Sequence, residues 1–230
     1  MNTSILPAVL SVLIASSVPG VQSGWPQYYD LANLRDEGMF AVGDMHGNLI
    51  VTGTATVTGG NADIVTHSYA SNGGINWTNR YESTFGSDYP VGIAVDRLGF
   101  VYVAGTKVVS LTDMDYVAIK ISPDGTPVWT RTYNSGASDV AAGMSLAANG
   151  DVAVTGTSNG FSSPYTDIVT MVWDANGTPK FGWPTIWGAG NQANDLAAAV
   201  TVSSSSDVIV AGHTASSGTI DQVYWVKVSP

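Results

Sequence analysis

The stretch DYVAIKISPDGTPVW (residues 115–129) decides how the chain is read, because it returns. DIVTHSYASNGGINW (residues 63–77) and DIVTMVWDANGTPKFGW (residues 167–183) repeat its order of Asp, alternating strand, Gly turn and Trp. Trp25, Trp77, Trp129 and Trp183 are separated by 52, 52 and 54 residues. Asp63, Asp115, Asp167 and Asp221 keep the same separations, and each Trp precedes the next Asp by 38 residues. The two extra residues fall in the turn segment between Asp167 and Trp183, where a structural repeat tolerates length change. Internal repetition of this period is a property of arrays of one supersecondary unit.

Each unit reads as four short strands. The Trp segments WPQYY, WTNRY, WTRTY and WPTIW carry a second aromatic four residues on, at Tyr29, Tyr81, Tyr133 and Trp187. An even spacing sets it on the same face of a strand as the Trp. A small-residue strand follows (MFAVGD, GIAVD, GMSLA, AVTVS), then a turn (DMHG, DRLG, AANG). The next strand is NLIVTGT, FVYVAGT, DVAVTGT or DVIVAGH, with Val51, Val103, Val154 and Val210 in one register. The fourth begins at the Asp anchor and places Val65, Val117, Val169 and Val223 two residues later. Four antiparallel strands per unit of about 50 residues predict an all-β β-propeller of four four-stranded blades. The sequence starts this pattern with a Trp strand and stops it after an Asp strand, which predicts that WPQYY completes the last blade and hides its edge.

Composition agrees. Of 230 residues 44% are hydrophobic but only 11% charged, and 26 glycines accompany a Thr-, Ser- and Val-rich texture that suits strands and tight turns. A net charge of −10 disfavours nucleic acid as a partner. The absence of cysteine excludes disulfides, thiolate metal sites and a Cys nucleophile. Residues 1–23 read as a secretory signal peptide: the apolar run over residues 5–18 is too short to span a bilayer, and Val21, Gln22 and Ser23 suit cleavage after Ser23. No Lys or Arg precedes that run. Residues 24–230 form the repeat domain, which carries no other stretch apolar enough to span a membrane, and the protein is expected outside the cytoplasm.

The strand pair GIAVD…FVYVAGT, the D-x-V strand, the PDG turn and the following Trp together resemble the SBBP-type β-propeller repeats of bacterial exported proteins. The resemblance runs over residues 25–229, best in the second unit. It implies an extracytoplasmic propeller and carries over no catalytic residues. The family name refers to seven blades and four are read here, so a small ring, half of a larger self-assembled ring and a fragment all remain open. Kelch and WD40 repeats fit less well: the kelch Gly-Gly is missing after the second strand, and Trp173-Asp174 lies mid-unit and occurs once.

The Trp set is read as packing between blades rather than as a sugar-stacking surface, since burying one indole removes about 150–250 Å² from water. Asp36, Asp88, Asp139 and Asp195 stand just before the small-residue strands, in the loops expected at a channel rim. They are the candidate ligand-binding residues. If fourfold repetition brings them around one axis, two carboxylates ~6 Å apart repel by about 3 kcal/mol at an effective dielectric of 20. A close ring therefore requires a hard cation such as Ca²⁺, N–H partners or raised pKa values; otherwise each Asp caps its own turn. Asp63, Asp115, Asp167 and Asp221 are read as turn chemistry. His46, His67 and His213 have no metal-ligand spacing. No catalytic motif or phosphate-binding Gly loop occurs. The function expected is a secreted or cell-surface binding or scaffold module without catalysis of its own, its ligand a glycan or a cell-surface protein. The alternative is a hydrolase or lyase acting on a polysaccharide or small ester at the channel mouth, with Asp36, Glu37, Asp88 and Asp195 supplying acid and base.

Overall fold

The computed structural model describes Tyr29 and residues 34–162, 164–188, 193–216 and 222–228. The signal-peptide reading, Trp25 and Asp221 lie outside these residues. Each repeat is an antiparallel meander. The first sheet holds β1 (Asp36–Gly43), β2 (Leu49–Thr56), β3 (Ala62–Tyr69) and β4 (Ile75–Tyr81) in that spatial order. The second holds β5 (Tyr89–Val95), β6 (Val101–Ser110), β7 (Asp113–Ile121) and β8 (Pro127–Tyr133). The third holds β9 (Asp139–Leu146), β10 (Val152–Ser162), β11 (Tyr165–Trp173) and β12 (Thr185–Trp187). The last holds β13 (Ala193–Val202), β14 (Val208–Ser216) and β15 (Gln222–Val228). The small-residue strands lie side by side, β1 with β5, β5 with β9 and β9 with β13, and are where consecutive sheets converge. Small side chains suit that approach: a Cβ on Gly143 of β9 would stand 3.6 Å from the Ala199 backbone of β13.

Each junction between sheets buries its own apolar cluster. Ile50 and Ile64 meet Val101, Val103, Val117, Ile119 and Ile121 between the first and second sheets. Tyr102, Tyr116 and Trp129 meet Val152, Val154, Met171 and Trp173 between the second and third. Ile168 and Val172 meet Val208 and Val210 between the third and fourth.

The glycine of TGT, AGT and AGH is a demand of this packing. Every first strand slips its register by one residue opposite it, between Gly38 and Phe40, Pro90 and Gly92, Ala141 and Gly143, and Ala197 and Ala199. Such a bulge pushes first-strand backbone against the second strand. A Cβ on Gly156 would overlap the carbonyl oxygen of Val140 and stand 2.7 Å from Tyr116 Oη of the preceding sheet. Gly105 and Gly212 receive Ile64 and Ile168 in the same manner: a Cβ on either glycine would stand 2.9 or 2.6 Å from the isoleucine Cδ1. The residue after Asp63, Asp115 and Asp167 is thus the knob, and the next sheet's glycine is the hole.

The tryptophans fasten the other end. Trp77 Nε1 donates to the Pro123 carbonyl at 2.9 Å, and Trp129 Nε1 to the Ala175 carbonyl at 3.2 Å, each reaching 46 residues ahead into the next sheet's turn. Gly125 and Gly177 sit in those turns with φ of 90° and 78° and leave no room for a Cβ over the indole. Asn79 Nδ2 and Arg131 Nε donate to the same glycines' carbonyls.

One sequence expectation is corrected. Val223 does not share the register of Val65, Val117 and Val169. Those three face Gly53, Gly105 and Gly156, whereas Gly212 faces Tyr224. Register follows the alternation of faces along β15, which sets Val226 and Val228 against Val210 and Val208, so counting from Asp221 is one residue out.

Candidate functional site: the loop end of the sheets

Antiparallel order gathers the starts of first and third strands, the ends of second and fourth strands, and the connections between sheets at one end. The four candidate aspartates lie there. Asp88, Asp139 and Asp195 are fully buried, and Asp36 is half-buried. Asp88 bridges its loop to the second strand: Oδ2 accepts the Ser83 N–H at 2.8 Å and Oδ1 the Val108 N–H at 3.2 Å, while its own N–H donates to the Ala62 carbonyl of the preceding sheet at 2.7 Å. Asp139 Oδ2 accepts the Ser135 N–H at 2.7 Å, and Ser135 Oγ shares a 2.9 Å hydrogen bond with Ser158 Oγ. Asp36 Oδ1 accepts the Thr56 N–H at 3.0 Å. At the last sheet Thr166 of β11 donates through Oγ1 to the Asp195 carbonyl at 3.3 Å.

The second aspartate set is not turn chemistry, as the sequence suggested. Asp63, Asp115 and Asp167 are buried inside β3, β7 and β11. Strand pairing puts both sets in one row across a sheet: Asp36, Ala55 and Asp63 in the first, Asp139, Ser158 and Asp167 in the third. In the last sheet Asp195 and Thr214 are followed by Gln222. Asp63 forms an ion pair with Arg80, which also meets Glu82 at 3.1 Å, and Lys107 Nζ lies 3.3 Å from Asp115 Oδ2. Spacing alone did not join the two sets; pleating does, because residues opposite one another share a level.

Burial lifts the pKa of Asp63, Asp88, Asp115 and Asp139 above the usual carboxylate value. For Asp63 and Asp115 the cations Arg80 and Lys107 oppose the rise; for Asp88 hydrogen bonds from Ser83 and Val108 do, and for Asp139 those from Ser158 and Ser135. A smaller upward push comes from the neighbouring sheet, Asp63 on Asp88 and Asp139 on Asp115. No group of three or more His, Asp or Glu side chains among the described residues could hold a metal ion. Around these buried carboxylates the same end exposes Phe85, Tyr89, Val109, Leu111, Val140 and Phe161, with the exposed carboxylate of Glu82 beside Arg80.

Removing the Asp88 carboxylate strands two N–H groups. Asp88→Ala should lower stability by about 1–3 kcal/mol and speed amide exchange over residues 82–88 before any other segment, which hydrogen exchange read by mass spectrometry would detect. Unchanged exchange there would show that the carboxylate does not hold the loop.

Residues 76–106 match the family model of SBBP, a β-propeller repeat. The likeness to an SBBP repeat rests on that span. The matched span contains Trp77, Asp88 and the bulge-facing Gly105, so one stretch holds the indole clasp, the loop pin and the glycine hole. No curated protein sequence matches the chain. Among solved structures, similar ones include a thermostable family-43 glycoside hydrolase, with a TM-score of 0.44, 17% identity, and coverage of 84% of this chain and 70% of that one. An endo-arabinase from Bacteroides thetaiotaomicron gives 0.42 and 11%, with 83% and 74% coverage. A gluconolactonase from Xanthomonas campestris gives 0.41 and 12%, with 85% and 62% coverage.

Proposed function

We propose that this SBBP-repeat chain is an exported, non-catalytic binding module whose sheets are the four blades of a small closed ring and whose loop end takes a glycan. The observation that carries the reading is the pairing of pinned loops with exposed aromatics. Asp88 and Asp139 fix the loops through backbone N–H groups, and Phe85, Tyr89 and Phe161 project from the same end. Preorganised loops spend little ordering entropy on association. Aromatic faces suit the C–H faces of sugars, and exposed carboxylates such as Glu37 and Glu82 accept hydrogen bonds from hydroxyls. Asp36, Asp88, Asp139 and Asp195 serve the rim by shaping it.

Closure has support from Tyr29. Tyr81, Tyr133 and Trp187 each pack into the cluster between their own sheet and the next. Tyr29, their counterpart in the sequence rhythm, stands against His67 of β3 at 4.1 Å between ring centroids. His67 lies on the opposite face of the first sheet from Ile64, where the aromatic of a preceding blade belongs.

The test is a glycan array probed with the secreted protein, followed by calorimetric titration of the best ligand. Phe85→Ala and Tyr89→Ala should each weaken binding about tenfold, equivalent to about 1.4 kcal/mol, while Leu98→Ala in a hairpin at the other end leaves it unchanged. A blank array, or equal losses at both ends, would refute the reading.

A further inference from the structure

His67 occupies a position that its sister strands give to aliphatic side chains. It stands opposite Val51, and the matching residues are Ile119 opposite Val103, Met171 opposite Val154 and Val226 opposite Val210. Ile119 and Met171 are buried in clusters between consecutive sheets. His67 is equally buried, at 6% exposure, but faces Tyr29 instead of a sheet joined to it by a short loop. Its Nδ1 and Thr78 Oγ1 are 2.8 Å apart, which uses one ring nitrogen. The other, Nε2, is buried without a hydrogen-bond partner. Tyr29 packs on the ring at 4.1 Å and Tyr69 at 5.8 Å.

We propose that His67 is an acid-sensitive latch on Tyr29: proton uptake by the ring creates a buried cation whose Nε2–H meets no acceptor among the described residues, and the molecule relieves it by releasing Tyr29 from the first sheet. The same site carrying Ile, Met or Val cannot respond to pH, so the device belongs to this junction and not to the repeat. Among the described residues, few groups act on the His67 ring. Asp36 of β1 favours the charged form, Tyr29 and Tyr69 flank it, Thr78 of β4 holds Nδ1, and Val51 of β2 is apolar. Arg80 acts on Tyr29. Burial dominates and pulls the ring's pKa down to about 4.

The sign follows from linkage. A base whose native pKa is depressed contributes its full stabilisation above its unfolded value near 6.5, and loses it as pH falls from there toward 4. The docked arrangement should therefore lose on the order of 100-fold in relative population over that window. The buried aspartates, with raised pKa values, work in the opposite direction: their contribution is greatest at low pH and fades as pH rises through their native pKa. A variant at residue 67 alone separates the two.

On the full chain, proton NMR would follow the His67 ring and its cross-relaxation with Tyr29 from pH 7.5 to 3, through the native pKa of about 4. The expected result is loss of the Tyr29 contact in step with titration of His67, and retention of Tyr29 packing to pH 3 in His67→Ile. His67→Gln, neutral throughout, serves the same purpose if the isoleucine variant does not fold. Persistence of the Tyr29 contact once His67 is protonated, or its loss at the same pH in both neutral variants, would overturn the latch.

Discussion

Gly156→Ala should melt at a temperature on the order of 10 °C lower than the parent, a loss of about 3–5 kcal/mol. The added methyl has nowhere to go. On one side is the Val140 carbonyl, driven inward by the first-strand bulge; on the other is Tyr116 Oη, which donates to the Val169 carbonyl at 3.2 Å. Relief requires either flattening the bulge, which would turn the following residues of β9 to the wrong face, or pushing the second and third sheets apart. Gly43→Ala is the matched control: its Cβ would meet only the Asn48 carbonyl at 3.9 Å, and its melting point should move by less than 2 °C. Equal shifts in the two variants would mean that the bulge, and not the glycine, accommodates the methyl.

Trp129→Ala should cost about 3–5 kcal/mol. Trp129 is 7% exposed, lies edge-on to Tyr102 at 6.2 Å between centroids, and bears the Gly177 turn on its face. Its loss empties the second junction and leaves the Ala175 carbonyl with only Lys120 Nζ, at 3.0 Å. Trp129→Phe keeps much of the packing and should cost about 1–2 kcal/mol, since it removes one hydrogen bond and part of the contact area. Chemical denaturation curves would rank the three proteins. If alanine and phenylalanine were equally destabilising, the indole N–H rather than burial would carry the clasp.

The repeat was legible because it is written in residues with narrow uses. Trp, Asp and Gly recur where an interface, a buried row and a close approach need them, and the β-branched residues between them alternate with the pleat. The sheet order follows from that alone. What each anchor touches was not legible. The acceptor for Trp77 is a backbone carbonyl 46 residues away, and carbonyls leave no trace in composition. The glycine in AGT did carry a signal, since glycine inside a strand asks for a bulge or a close neighbour, but nothing in the sequence names that neighbour as Tyr89 or Ile64. The two aspartate sets look unrelated along the chain because Asp139 and Asp167 are 28 residues apart; they align only once Ser158 pairs with both. Counting from Asp221 failed because register answers to which face each side chain must take, not to the distance from an anchor.

The clasp reaches one unit forward and no further, and this has a consequence for how such chains change in size. Each indole carries its own instructions for the turn that follows it, so a gene duplication or deletion of one whole period would move a fastener together with the surface it grips. Energetics of that nearest-neighbour kind make length a cheap variable. A slip of a few residues, by contrast, would disconnect knob from hole, pin from loop and indole from turn at a single stroke.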